Sequence, residues 1–176
     1  MARPIGATLV SILIVLNAGC GGRRQPDDRT VAALWLARNC TVREGDEIDL
    51  ETEIRKRGKA LEPLFIEAFS NGPAYWERAS VLASIQRTYD RRQDRLRAGE
   101  TYGSSVPEAE ALRNAPLAVQ QQRAAGEFDH GYRVAALNAL GVIGRPAGRQ
   151  LLERLATGES SPFQDAAEGA LGKRAK

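Results

Sequence analysis

A nine-residue segment recurs in this chain at a spacing of 31 residues. Arg133-Val134-Ala135-Ala136-Leu137-Asn138-Ala139-Leu140-Gly141 returns as Gln164-Asp165-Ala166-Ala167-Glu168-Gly169-Ala170-Leu171-Gly172, with the alanines and the closing Leu-Gly in register. Small and apolar residues three and four apart make one face of a helix. The closing glycine suits a helix C-terminus, where left-handed backbone costs glycine little. A looser copy runs from Arg78 to Ile85. The segments ahead of the copies also align, with Phe65, Ile66, Glu67 and Phe69 matching Leu151, Leu152, Glu153 and Leu155. Both of these end in glycine, Gly72 and Gly158, six residues before Arg78 and Gln164, so two separate helices keep one offset of 86 residues. Self-similarity at such periods marks stacked supersecondary units. The first two copies lie 55 residues apart and the last two 31, which isolates an insertion of 24 residues between Tyr89 and His130. An insertion of this kind is either a binding elaboration or a tolerated surface feature.

Arg133, Ala135, Ala136, Ala139, Leu140, Gly141, Ile143 and Gly144, then Ala147, Leu151 and Leu155, then Ala166, Ala167, Ala170, Leu171 and Gly172 resemble the short bacterial HEAT-like repeats. The resemblance covers 133–172 well and 59–86 loosely. It implies an all-α fold, a short α-solenoid of antiparallel HEAT-like helix pairs with one insertion near 90–130. Alanines at contact points would let helices approach closely while Leu, Ile and Phe fill the gaps. An unrelated alanine-rich bundle is the alternative. The pattern predicts helices over 30–39 with Thr30 as cap, 49–57, 60–70 with Pro63 in the first turn, 74–97, 108–123 broken at Pro116, 132–140, 146–156 and 162–174.

The N-terminus obeys different rules. The run from Ile5 to Leu16 is too short to cross a hydrocarbon core, which needs about 20 residues, and suits a signal-peptide core of about 7–15. With Ala18, Gly19 and Cys20 it resembles a bacterial lipoprotein signal peptide, although Asn17 stands where that pattern has an apolar residue. The resemblance implies a signal peptide over 1–19, lipidation of Cys20, a tether over 20–30 and a helical domain over 31–176. The protein would then be exported to the bacterial cell envelope and lipid-anchored to a membrane there. Ordinary secretion, which would permit a Cys20–Cys40 disulfide, and an uncleaved anchor are the alternatives.

Composition narrows the chemistry of the 176-residue chain. One His and two Cys exclude a His-rich or Cys-based metal site, and a net charge of +3 is no nucleic-acid signature. No phosphate-cradling, dinucleotide-binding or nucleophile-elbow motif is present, so no cofactor is expected. Asp129–His130 is a candidate acid–base pair, with a helix cap as the plainer reading. The cluster Asp46, Glu47, Asp49, Glu51 and Glu53 lacks the glycine and terminal glutamate of a calcium loop and suits a helix start. Arg87, Arg91 and Arg95 share one helix face, with Asp90 and Asp94 interleaved. That pattern reads as a paired, solvated face, or alternatively as a basic surface for anionic lipid, polymer or an acidic partner. Trp35, Trp76, Tyr75, Phe65 and Phe69 read as core residues, but an exposed Tyr75 or Trp76 would be a partner anchor. The expected function is a non-enzymatic, membrane-tethered interaction module, a scaffold or adaptor for another envelope protein. The alternatives are an envelope enzyme or enzyme accessory using Asp129–His130 or the acidic cluster, and a binder of anionic surfaces through the arginines.

Overall fold

The computed structural model describes residues 26–40, 50–100, 107–158 and 161–172. Among the described residues the fold is all-helical: α1 (Asp28–Cys40), α2 (Leu50–Lys56), α3 (Gly58–Asn71), α4 (Tyr75–Arg97), α5 (Pro107–Asn114), α6 (Leu117–Ile143), α7 (Pro146–Thr157) and α8 (Gln164–Gly172).

Helix α6 organises the molecule. Its 27 residues span about 40 Å at 1.5 Å per residue. The sequence suggests a gap between 123 and 132, but the helix runs through it. Gly126 and Gly131 sit in open space without left-handed backbone, and the i,i+4 pairs Arg123–Glu127 (2.7 Å) and Asp129–Arg133 (3.0 Å) bracket the stretch. Helices α1, α2, α3, α4, α7 and α8 all pack on α6. Consecutive α7 and α8 also pack on each other, whereas α3 and α4 each find their main partner in α6.

The recurring alanines explain how so many helices reach one. Ala135, Ala136, Ala139, Ala167 and Ala170 are fully buried, beside Leu137, Leu140, Leu61, Phe65 and Leu152. A β-carbon on Gly141 would stand 2.5 Å from the Ala170 carbonyl oxygen, so α6 and α8 meet almost backbone to backbone there. Gly141 therefore permits this approach rather than ending the helix. Termination falls to Gly144, at φ 64°, whose N–H donates to the Leu140 carbonyl at 2.8 Å. At the opposite flank the Trp35 indole N–H donates to the Ala135 carbonyl at 2.8 Å and fixes α1 on α6.

Two expectations near the N-terminus are corrected. Helix α1 begins at Asp28, and its cap is Asp27, whose carboxylate accepts the Thr30 N–H at 2.7 Å. Thr30 lies inside the helix, and residues 28–30 belong to the fold rather than to a tether. Arg57 holds this start by donating to the Pro26 carbonyl (2.6 Å) and to Asp28 (3.3 Å). Similarly, α3 opens at Gly58, which puts Pro63 beyond the first turn.

Candidate functional site

Asp129 does not pair with His130. Its carboxylate lies between two guanidiniums, Arg78 from the start of α4 (2.5 Å) and Arg133 one turn along α6 (3.0 Å). Arg133 also donates to the carbonyls of Phe69 and Ser70, which α3 leaves without helical partners at its C-terminus. Gly72, at φ 69°, turns the chain beneath this clasp. A β-carbon there would meet Arg133 at 2.8 Å and Asp129 at 3.0 Å. Partial burial works to raise the Asp129 carboxyl, but hydrogen bonds from Arg78 and Arg133, with their charges, prevail and hold it below its ordinary value. Such a carboxylate is an anchor, poorly suited to accepting a proton near neutral pH. His130 points elsewhere. It is exposed and stacks on Phe163 (centroids 5.1 Å, planes 12° apart), and Phe163 in turn meets Phe69 edge-on at 5.2 Å.

The acidic cluster is divided. Asp46, Glu47 and Asp49 lie outside the described residues, as do Cys20 and the side chain of Cys40. Glu51 pairs with Arg55 (2.7 Å), and Glu53 with Arg57 (2.8 Å), along α2. Among the described residues no group of three or more His, Cys, Asp or Glu is arranged to hold a metal, and no helix is long and apolar enough to cross a membrane.

One buried carboxylate escaped the sequence reading. Glu62, only 8% exposed, accepts the Gly148 N–H at 2.7 Å and the Arg145 guanidinium at 3.2 Å. It thus occupies the N-terminus of α7 from α3, where negative charge is favoured. Its signal was its place beside Leu61 on the apolar face of a helix. A cleft of about 210 Å³ between α6, α7 and α8 is lined mainly by Leu140, Gly141, Leu152 and Ala170, with Arg149 and Glu153 paired across its rim at 2.7 Å.

Among the described residues the most exposed aromatic side chains stand at the start of α4, where Tyr75 is 86% and Trp76 62% exposed. They are not core residues. Local capping places them there: the Ala74 N–H donates to the Glu77 carboxylate at 2.6 Å, which opens the helix so that both rings project. Further along, Arg87, Arg91 and Arg95 are all exposed. The anticipated neutralisation by interleaved aspartates is not made. Asp90 accepts from Gln86 (2.9 Å) and Asp94 from Arg97 (3.2 Å). Among the described residues neither Arg87 nor Arg91 has a carboxylate partner; Arg91 donates instead to the Arg87 carbonyl at 3.2 Å. Arg95 lies 3.7 Å from Glu100. No protein-family model, curated protein or solved structure matches the chain.

Proposed function

We propose that this chain is a protein-interaction module of the bacterial cell envelope, tethered to a membrane through lipid on Cys20, with α4 as its docking element. The observation that carries this reading is the adjacent exposure of Tyr75 and Trp76. Two large aromatic rings in water at a helix start give contact area at low entropic cost, the property that makes such residues binding anchors. The clasp on Asp129 supports the same reading, because it engages the carboxylate that an acid–base mechanism would need. Packing of α7 on α8, together with the alanine contacts to α6, supports treating this end as HEAT-like units in a short solenoid, with the segment near 90–130 as the elaboration. A lipid tether would raise the local concentration of module and partner on one membrane.

The exposed guanidiniums of Arg87 and Arg91, which meet no carboxylate among the described residues, favour a second reading, binding of an anionic surface. Site-specific photo-crosslinking in the native envelope separates the two. The crosslinking residue p-benzoylphenylalanine replaces Trp76 or Arg91, and Gln150, exposed on α7, serves as the control position. A discrete protein adduct at position 76, absent at 150, is the expected result. Adducts to phospholipid alone would establish the second reading, and equal yields at 76 and 150 would overturn the module.

A further inference from the structure

Trp76 and the arginines are parts of one surface. At about 100° per residue, Trp76, Ser80, Ser84, Arg87, Arg91 and Arg95 fall within an arc of about 100° and form a row about 29 Å long. Each of the six is exposed. The residues between them that turn inward are half-buried, and among the described residues the principal partner of α4 is α6, on the opposite side. Arg92 belongs to that inner side, with its guanidinium 5.5 Å from the Tyr89 ring. The row therefore has an aromatic end, a centre of small side chains and a cationic end.

We infer that this row docks an acidic amphipathic helix of another protein, laid antiparallel along α4 with carboxylates against Arg87, Arg91 and Arg95 and an apolar residue on Trp76. The inference rests on the module reading and names the chemistry of its partner. Charge complementarity argues for the occupant. Arg87 and Arg91 carry charge that no described carboxylate neutralises, at a four-residue spacing that matches carboxylates on successive turns of a facing helix. Ser80, Ala83 and Ser84 leave room for close approach, because the distance between helix axes follows the side chains at the contact. An antiparallel partner brings its N-terminal half to the arginines, where its own carboxylates are favoured by the helix dipole. Asp94 falls at the angle of Trp76, on the edge of the row, and Asp90 about 40° beyond it; held by Arg97 and Gln86, they repel a partner rotated towards that side. A flat anionic membrane would meet those acids together with the arginines, and the row offers it apolar side chains at one end only.

The test uses the full chain in nonionic micelles and a labelled helical peptide on the order of 20 residues, which matches the row. Glu at i, i+4 and i+8 occupies its N-terminal half and Leu the same face of its C-terminal half. A second peptide of identical composition scatters these residues around the helix. The patterned peptide is expected to bind at least about tenfold more tightly than the scattered one. Arg87→Glu/Arg91→Glu/Arg95→Glu should remove that preference, and a peptide with Lys in place of Glu should restore binding to this variant. Trp76→Ala should weaken binding about fivefold or more without affecting its salt dependence. Equal affinity for both peptides would overturn the inference. So would phospholipid adducts in place of peptide adducts from a crosslinker at Arg91 in micelles doped with phosphatidylglycerol. A protein adduct at position 76 in the envelope, with no preference between peptides, would leave the module standing and remove only this partner.

Discussion

The two halves of α6 are turns of one continuous helix, yet they live in different surroundings. From Ala135 to Gly141 every residue but Asn138 is buried; before Ala135 no residue of the helix is. The later half is surrounded, with α8 brought almost to backbone contact at Gly141 and α1 bonded at Ala135. The earlier half has α4 beside it, in an antiparallel register marked by Arg78 with Asp129 and Gln86 with Gln121 (3.5 Å). Two helices side by side cover only one face of each, so Val81, Ile85 and Phe128 keep part of their surface in water. In the later half the small side chains of Ala135, Ala136 and Ala139 let several helices converge on the same turns. One end is a core, and the other is an arm that this core holds out.

The largest effect should come from removing bulk at each end. Leu137→Ala, at a fully buried position, should cost about 2–5 kcal/mol, while Ile85→Ala in the half-buried arm should cost about 1 kcal/mol. Denaturant titration of both variants reads the contrast. Equal losses would mean that the arm shares the core.

The same substitution should then act in opposite directions at the two ends. Gly141→Ala puts a methyl group 2.5 Å from a backbone oxygen that cannot swing away, and should destabilise by about 1–3 kcal/mol. Gly126→Ala enters open space on an exposed helix and should stabilise by about 0.4–1 kcal/mol. Melting temperatures that move together would break the distinction.

The core was more legible in the sequence than the arm, for a physical reason. Ala135, Ala136, Ala139, Ala167 and Ala170 lie in a local period that burial requires, and each is fully buried. Contacts between distant segments leave no such period. Nothing near Asp129 announces Arg78, 51 residues away, so the neighbouring His130 drew the attention instead. Glu62 reaches Gly148 across 86 residues, and only its position on an apolar face hinted at a buried carboxylate. The predicted helices stop at 123 and resume at 132; Gly126 and Gly131 in that interval weaken a helix, but ion pairs and the neighbouring α4 outweigh that cost. For Tyr75 and Trp76 the sequence leaves core and surface both open, because helical spacing cannot say whether a facing helix exists. The arginine row was visible as a row, although its aspartates turned to other partners.

Core and arm meet at Asp129, so acid should loosen the joint. Its folded carboxyl lies below the ordinary 3.8, which means that its contribution is complete above that value and disappears as pH falls through the lower, folded one. Asp129→Asn should therefore cost about 1 kcal/mol near neutral pH, after allowance for partial exposure, and progressively less in acid. Melting curves of the protein and this variant should converge as pH drops towards 2. A gap that persisted at low pH would show that the carboxylate's charge is not what ties α4 and α3 to α6.

The smallest effect on stability belongs to the arginine row, and its smallness is informative. Arg87, Arg91 and Arg95 are exposed, and the first two hold no carboxylate among the described residues. Reversing all three to Glu removes exposed contacts, among them the 3.7 Å pair of Arg95 with Glu100 and the bond from Arg91 to the Arg87 carbonyl, and brings the new acids near Asp90 and Asp94. Exposed pairs contribute about 0–1 kcal/mol each, and surface substitutions away from special features usually stay within about 0.5 kcal/mol. The melting temperature should consequently shift by no more than a few degrees, and in the destabilising direction, because the reversal creates like-charge neighbours on one helix face. Raising the salt concentration should shrink that shift, since screening acts over about 8 Å near physiological ionic strength. A large, salt-insensitive loss would mean that these guanidiniums support the fold. The arm would then be part of the structure's own packing rather than a surface held out from it.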